Sequence, residues 1–205
     1  MKLTDKERER IAEAVKRAES ETSGEIVPVI VASSDAYPHA NLTGGLVGLI
    51  LFFVFGLMAL PWFLPIPVSA LITLGFLVGF FVTHFTPGIK RFVIGKKVAE
   101  TEVYQRALQA FFEHGLTGTR DRTGILILVS MLERRVHVLA DEGINAKVEP
   151  GTWDEVVQLV LSGIKDGSPA GGLVAGIERC GEILKKDFPI KPDDTNELIN
   201  DVIVE

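Results

Sequence analysis

Carboxylates and arginines gather around two short polar stretches, and their chemistry is that of a hard cation or of an ion-pair network. The first stretch is residues 117–124, TGTRDRTG, with Thr119, Arg120, Asp121 and Arg122. The second is Asp141-Glu142-Gly143. Calcium and magnesium take several carboxylate and carbonyl oxygens, and loops rich in Gly and Thr expose carbonyls. The candidate metal ligands are therefore Asp121, Asp141 and Glu142, with Thr119, Arg120 and Arg122 as loop support and Ca2+ or Mg2+ as the ion. Two readings stay open: a divalent-cation site, or a satisfied strand-end network in which Asp141 caps loop amides and pairs with Arg120 or Arg122. No EF-hand spacing is present.

Other chemistries find less. The single cysteine, Cys180, falls at an apolar helical position, so it reads as a core residue and not as a thiolate nucleophile. It also leaves no internal disulfide and no Cys-based zinc site. No Walker-type phosphate loop occurs. Metal-assisted hydrolysis at Asp121 and Asp141 is the one phosphatase route the residues leave. The four histidines do not cluster in sequence. His39 and His84 flank the long apolar region and read as interfacial anchors, and His114 ends a helix. A net charge of −6 gives no basic excess for phosphate neutralisation, so nucleic acid is not an expected partner.

The elements that position these residues are read from periodicity. Thr4 and Glu7 make a capping box for a first helix to about residue 20, with Ile11, Ala14, Val15 and Ala18 as its apolar stripe. Residues 25–33, EIVPVIVAS, are a strand covered on both faces, and Pro28 argues for an edge or for a start without a partner on that side. Residues 96–114 form a helix that Gly115 ends. Residues 124–131 are a continuous apolar strand, hence central, and 136–140 return from it as a hairpin. Thr152 and Glu155 form a second capping box. Ser168-Pro169 opens a last helix with Leu173, Ile177, Cys180 and Leu184 on its buried face. Strand, helical crossover, strand implies a parallel pair. Asp121 and Asp141 then lie at one end of the sheet and Asp35 at the other. From 193 the chain is acidic, without Lys or Arg, and 191–205 reads as a tail.

Between the first strand and its crossover helix lies a stretch of another kind. Residues 42–85 contain no Asp, Glu, Lys or Arg. Two apolar runs, 42–60 and 68–85, each approach the ~20 residues that span a bilayer. A connector at 61–67 carries three prolines and Trp62. The expectation is a transmembrane helical hairpin dividing a soluble domain formed by 1–40 and 86–190. Lys90, Arg91, Lys96 and Lys97 follow the second run, so the soluble parts are expected in the cytoplasm of a bacterial inner membrane. The first 24 residues lack the apolar core of a signal peptide. Gly44-x-x-x-Gly48 and Gly75-x-x-x-Gly79 fit close helix packing, within the hairpin or against another membrane protein. No charge sits at depth, which argues against a transport path.

Residues 122–144, RTGILILVSMLERRVHVLADEGI, with EIVPVIVASSDAYP upstream and TWDEVV downstream, resemble the TPM domain family, named for plant thylakoid and nematode members. The strongest pieces are Arg122-Thr123-Gly124, Ser130-Met131-Leu132-Glu133-Arg134-Arg135, Asp141-Glu142-Gly143-Ile144 and Trp153. The chain looks like the bacterial branch in which two transmembrane helices interrupt the domain. The resemblance implies an α/β (α+β-like) fold, a mixed sheet with helices packed on it. Family members have been associated with acid phosphatase activity, calcium binding, photosystem repair and auxiliary roles beside membrane receptors. These share no one chemistry. The leading expectation is a membrane-anchored accessory or binding protein, with the bilayer and another membrane protein as partners. The alternatives are a metal-dependent phosphatase and a small structural subunit of a membrane complex.

Overall fold

A computed structural model describes residues 3–63, 67–191 and 193–205, with backbone alone at 59–63. The chain forms two compact units, one from Met1–Ser34 with Glu100–Glu205 and one from Asp35–Ala99.

The first unit is a mixed α/β layer. Helix α1 (Asp5–Glu19) starts at the expected capping box: the Thr4 hydroxyl accepts from the Glu7 amide, and the Glu7 carboxylate accepts from the Thr4 amide at 2.8 Å. Strands β1 (Glu25–Val31) and β2 (Gly124–Ser130) are buried along their whole length and pair in parallel, Glu25 opposite Gly124 through Val31 opposite Ser130. Strand β3 (Arg135–Ala140) runs antiparallel to β2, turned by Arg134 in the left-handed region at φ 52°. These are the strand relations expected from the sequence. The alternation of side chains puts Ile26, Ile30, Ile125 and Ile127 into one apolar cluster with α1 and the later helices, and Val27, Val29, Leu126 and Leu128 into another. The second cluster is closed by Val103, Ala107, Ala110 and Phe111 of α5 (Lys96–Glu113).

The 191–205 segment is not a loose tail. Ile203–Val204 form β4, parallel to β1, giving the sheet order β3-β2-β1-β4. Val202 is buried in the core. Pro28 fits this arrangement. The Ile30 carbonyl accepts from Glu205, so even-numbered backbone groups of β1 face β4. The ladder to β4 begins only at Val29, and the missing Pro28 N–H costs it no bond.

Three other differences have local causes. Helix α7 (Asp154–Lys165) lacks the expected capping box: its N-cap is Trp153, the Thr152 hydroxyl donates to the Glu149 carbonyl, and Glu155 accepts from Arg179. Helix α8 (Pro169–Asp187) begins with proline as expected, but the Ser168 side chain makes no cap bond. Residues 142–145, expected to end a strand, form the one-turn helix α6 (Glu142–Asn145) with Asp141 as N-cap.

The second unit is a pair of apolar helices and a short third. Helix α2 (Pro38–Phe63) starts four residues before the expected 42, with proline at its first position. It continues to Phe63, through Pro61, whose fixed φ is compatible with a helix although it can donate no amide to the turn before it. The expected connector therefore shrinks, and its residues 64–66 lie outside those described. Helix α3 (Val68–Phe85) matches its expected bounds. A Cβ on Gly48 would come under 3.0 Å from the Gly75 carbonyl, and one on Gly79 under 3.0 Å from the Gly44 carbonyl. The four glycines thus let the two backbones touch. Helix α4 (Pro87–Ile94) packs against both and was not expected from the sequence.

Candidate functional site

Residues 119–124 and 141–143 do meet at one end of the sheet, in a tight backbone arrangement. Arg122 takes a left-handed conformation, φ 58°, and its carbonyl accepts the Gly143 amide at 3.1 Å. A side chain at 143 would collide with the Asp121 and Arg122 carbonyls, so glycine is required there. The Asp141 amide donates to the Gly124 carbonyl at 2.9 Å. Thr119 is buried, and its hydroxyl accepts the Thr123 amide at 3.0 Å.

The carboxylates divide into two groups. Asp141, only 5% exposed, uses Oδ1 to cap the Glu142 amide at 2.7 Å and to pair with Arg122 at 3.0 Å. Its Oδ2 is buried without a hydrogen-bond partner. Glu142 is exposed, 3.9 Å from Arg122. Asp121 turns to Lys191 at 2.6 Å and to Arg120 at 3.6 Å. The Lys191 hydrogen bond, with the two positive charges, holds its carboxyl below the usual range. Arg120 in turn reaches Asp193 at 3.2 Å, and its amide donates to Glu197 at 2.8 Å. The network alternative foreseen for Asp141 and Arg122 is thus present, with one carboxylate oxygen left over.

Among the described residues, the His and acidic ligand atoms that converge within 4.8 Å are those of Glu113, His114 and Glu205. Arg106 occupies that cluster, bonding Glu113 at 3.1 Å and also Glu205. A metal there would have to displace a guanidinium. Cys180 is buried in the core, and burial raises its thiol well above the ordinary value, so it is no nucleophile.

Two carboxylate clusters escaped the sequence reading. Glu19 and Glu25 line a cavity of about 520 Å³ with Lys16, Ser20 and Asp194. Glu19 accepts from the Ile26 amide at 2.8 Å and from the Asn200 side chain, and burial pushes its carboxyl up to about 8. Glu25, also raised by burial, accepts the Glu197 and Leu198 amides at 3.1 and 3.3 Å. These two clasp the C-terminal segment to the body. At the other end of the sheet, buried Glu133 accepts from Ser130 and from the Ser34 amide at 2.9 Å, while the Ser34 hydroxyl donates to Ser130 at 2.9 Å. This ties the ends of β1 and β2 together. A glutamate opening or following a wholly apolar strand was the available signal in both cases.

In the second unit, the Asn41 amide lies 3.3 Å from His84 Nδ1, and Tyr37 meets His39 edge-on.

Comparison with known proteins follows this geometry. Residues 90–183 match the family model described as the TPM domain. The NMR structure of the BA42 protein from the psychrophilic bacterium Bizionia argentinensis superposes with a TM-score of 0.63, at 24% identity, over 100% of this chain and 97% of the other. That likeness is one of fold. No curated protein sequence matches the chain. The fold seen here is the mixed α/β fold expected, and residues 90–183 of it are similar to the TPM domain.

Proposed function

We propose that this chain is a membrane-anchored accessory protein, whose TPM domain is held at the cytoplasmic face of a bacterial inner membrane and binds a partner within a membrane complex. The observation that carries the reading is the exposure of the apolar helices. Leu51 is 62% exposed, and Leu46, Val54, Phe55 and Met58 are exposed with it. A core helix of a soluble domain hides such residues, whereas a bilayer solvates them. Both helices have the length and composition to cross a membrane. Lys90, Arg91, Lys96 and Lys97 after α3 support the cytoplasmic side. The small-subunit alternative relied on the glycine faces for docking, and in the hairpin those faces are turned on each other. Solubilisation in mild detergent followed by affinity capture of the full chain is expected to recover one stoichiometric membrane partner. Capture of the chain alone would sink the accessory reading.

A second reading concerns divalent cations at the 121/141 loops. The support is the buried, unpartnered Oδ2 of Asp141, in a loop pair whose Asp121 and Arg122 carbonyls close in on Gly143. The pairing of Arg122 with Asp141 opposes it, since a cation would have to compete with a guanidinium. Calcium or magnesium is expected to raise the melting temperature of the chain, and Asp141→Asn to abolish the rise. No shift with either ion contradicts this reading and leaves the ion-pair network as the whole function of the loops. No described geometry adds support to the phosphatase alternative.

A further inference from the structure

Helix α4 has an outward face that its own unit does not explain. Ile94 is buried, and the Lys90 ammonium donates to the Ala36 carbonyl at 2.8 Å, which fastens α4 beside the entry to α2. About 100° of rotation per residue then carries Ile89 and Phe92 to another side of the helix. Phe92 is 88% exposed, and Ile89 is exposed with it. Phe85, at the end of α3, is 73% exposed. In water this would be an apolar patch on a short helix. Arg91 lies on the opposite face from Ile89, and Lys96 and Lys97 open the next helix, α5, just beyond Gly95. Charge is segregated in the same place: residues 35–99 hold four of the chain's 21 basic side chains and only one, Asp35, of its 27 acidic ones.

We propose that α4 is an interfacial foot, with Ile89 and Phe92 entering the acyl boundary of the bilayer while Arg91, Lys96 and Lys97 take the phosphates of anionic lipid headgroups. The inference rests on the membrane reading of α2 and α3. An amphipathic helix with an aromatic apolar face and a basic polar face lies in the plane of the interface, drawn by apolar burial and by the negative surface potential. The covering surface is named by two observations: α4 is continuous in the chain with a helix of membrane-spanning length, and its flanking charge is complementary to phosphate. The foot would also fix the depth and rotation of the hairpin, because Lys90 ties it to the backbone at the start of α2.

The test uses the full chain reconstituted into phosphatidylcholine vesicles with and without about one-third phosphatidylglycerol. Nitroxides are placed singly at Leu51→Cys, Ile89→Cys and Phe92→Cys, with the parent chain, whose Cys180 is buried, as the blank. Oxygen is expected to relax all three labels more than a water-soluble nickel complex does. Spin-labelled phosphatidylglycerol is expected to associate roughly two-fold or more over phosphatidylcholine, falling to parity in a Lys90-intact triple variant with Arg91→Gln, Lys96→Gln and Lys97→Gln. Labels at 89 and 92 in water with 51 in lipid would overturn the foot and leave the hairpin reading standing. A label at 51 in water would overturn both. Lipid selectivity that is absent, or unchanged in the triple variant, would overturn the headgroup contact.

Discussion

The two units solve opposite packing problems with the same residue types. In the α/β body, Leu126, Leu128, Leu173 and Leu184 point inward and are fully buried. In the hairpin, Leu46, Leu51 and Leu57 point outward, and the contact between helices is made by glycine. The body's polar groups are captured by partners: Glu19, Glu25, Glu133 and Asp141 each hold backbone amides. The hairpin has almost none to capture. On the membrane reading proposed above, the difference follows from two solvents. In water the hydrophobic effect pulls leucine inside, whereas in hydrocarbon leucine gains nothing by hiding and association falls to close van der Waals contact.

The largest effect should come from breaking the glycine contact. Gly48→Ile puts a branched side chain against the Gly75 backbone. It is expected to cost ~3 kcal/mol or more of hairpin association, read as loss of helix-helix cross-linking between cysteines placed at the two ends of the pair. In the body the comparable break is a deletion. Leu173→Ala is expected to destabilise by about 3 kcal/mol, whereas Leu51→Ala should change detergent unfolding by less than ~0.5 kcal/mol, because most of that side chain faces away from the chain. Equal effects from the two leucine truncations would mean that the hairpin is packed as a soluble core.

These contrasts were legible in the sequence for definite reasons. The absence of any charge from 42 to 85 revealed the hairpin, and the unbroken apolar runs of β1 and β2 revealed their parallel pairing. The capping box at Thr4 was read correctly because both partners lie within one turn and no tertiary group competes. The box at Thr152 failed because Glu149 and Arg179 took the two side chains. Strand β4 was hidden because two residues carry no periodicity: its place is set by contacts across the chain, from Glu25 to Leu198 and from Arg106 to Glu205. Helix α4, with Pro87 and Gly88 at its start, reads as a linker until its neighbours are known. At the candidate cation loops, sequence placed Asp121 and Asp141 at one end of the sheet but could not foresee Lys191, 70 residues away, turning Asp121 aside.

The polar capture that distinguishes the body can be sharpened by pH. Burial raises the Glu19 carboxyl from 4.5 to about 8, with Glu25 adding repulsion, so the folded state prefers it protonated. Its contribution is therefore complete below pH 4.5 and is lost as pH rises through about 8. Melting of the full chain in detergent should weaken over that interval, by a few kcal/mol from this group. Glu19→Gln should flatten that part of the profile while keeping the bond to Ile26. An unchanged slope would assign the pH dependence elsewhere. The smallest effect is expected at the surface pair Arg17–Glu178, whose side chains are both at least half exposed. Its removal should shift stability by less than ~0.5 kcal/mol, and less still in high salt.

The proposed division into a water-packed body and a lipid-packed hairpin is tested most directly by extraction. Membranes from cells expressing the full chain are washed with alkaline carbonate, which strips peripheral proteins and leaves integral ones in the bilayer. The chain is expected to stay entirely with the membrane pellet, and a variant lacking residues 38–85 to lose that retention. Recovery of the intact chain in the soluble fraction would contradict the hairpin as a membrane element.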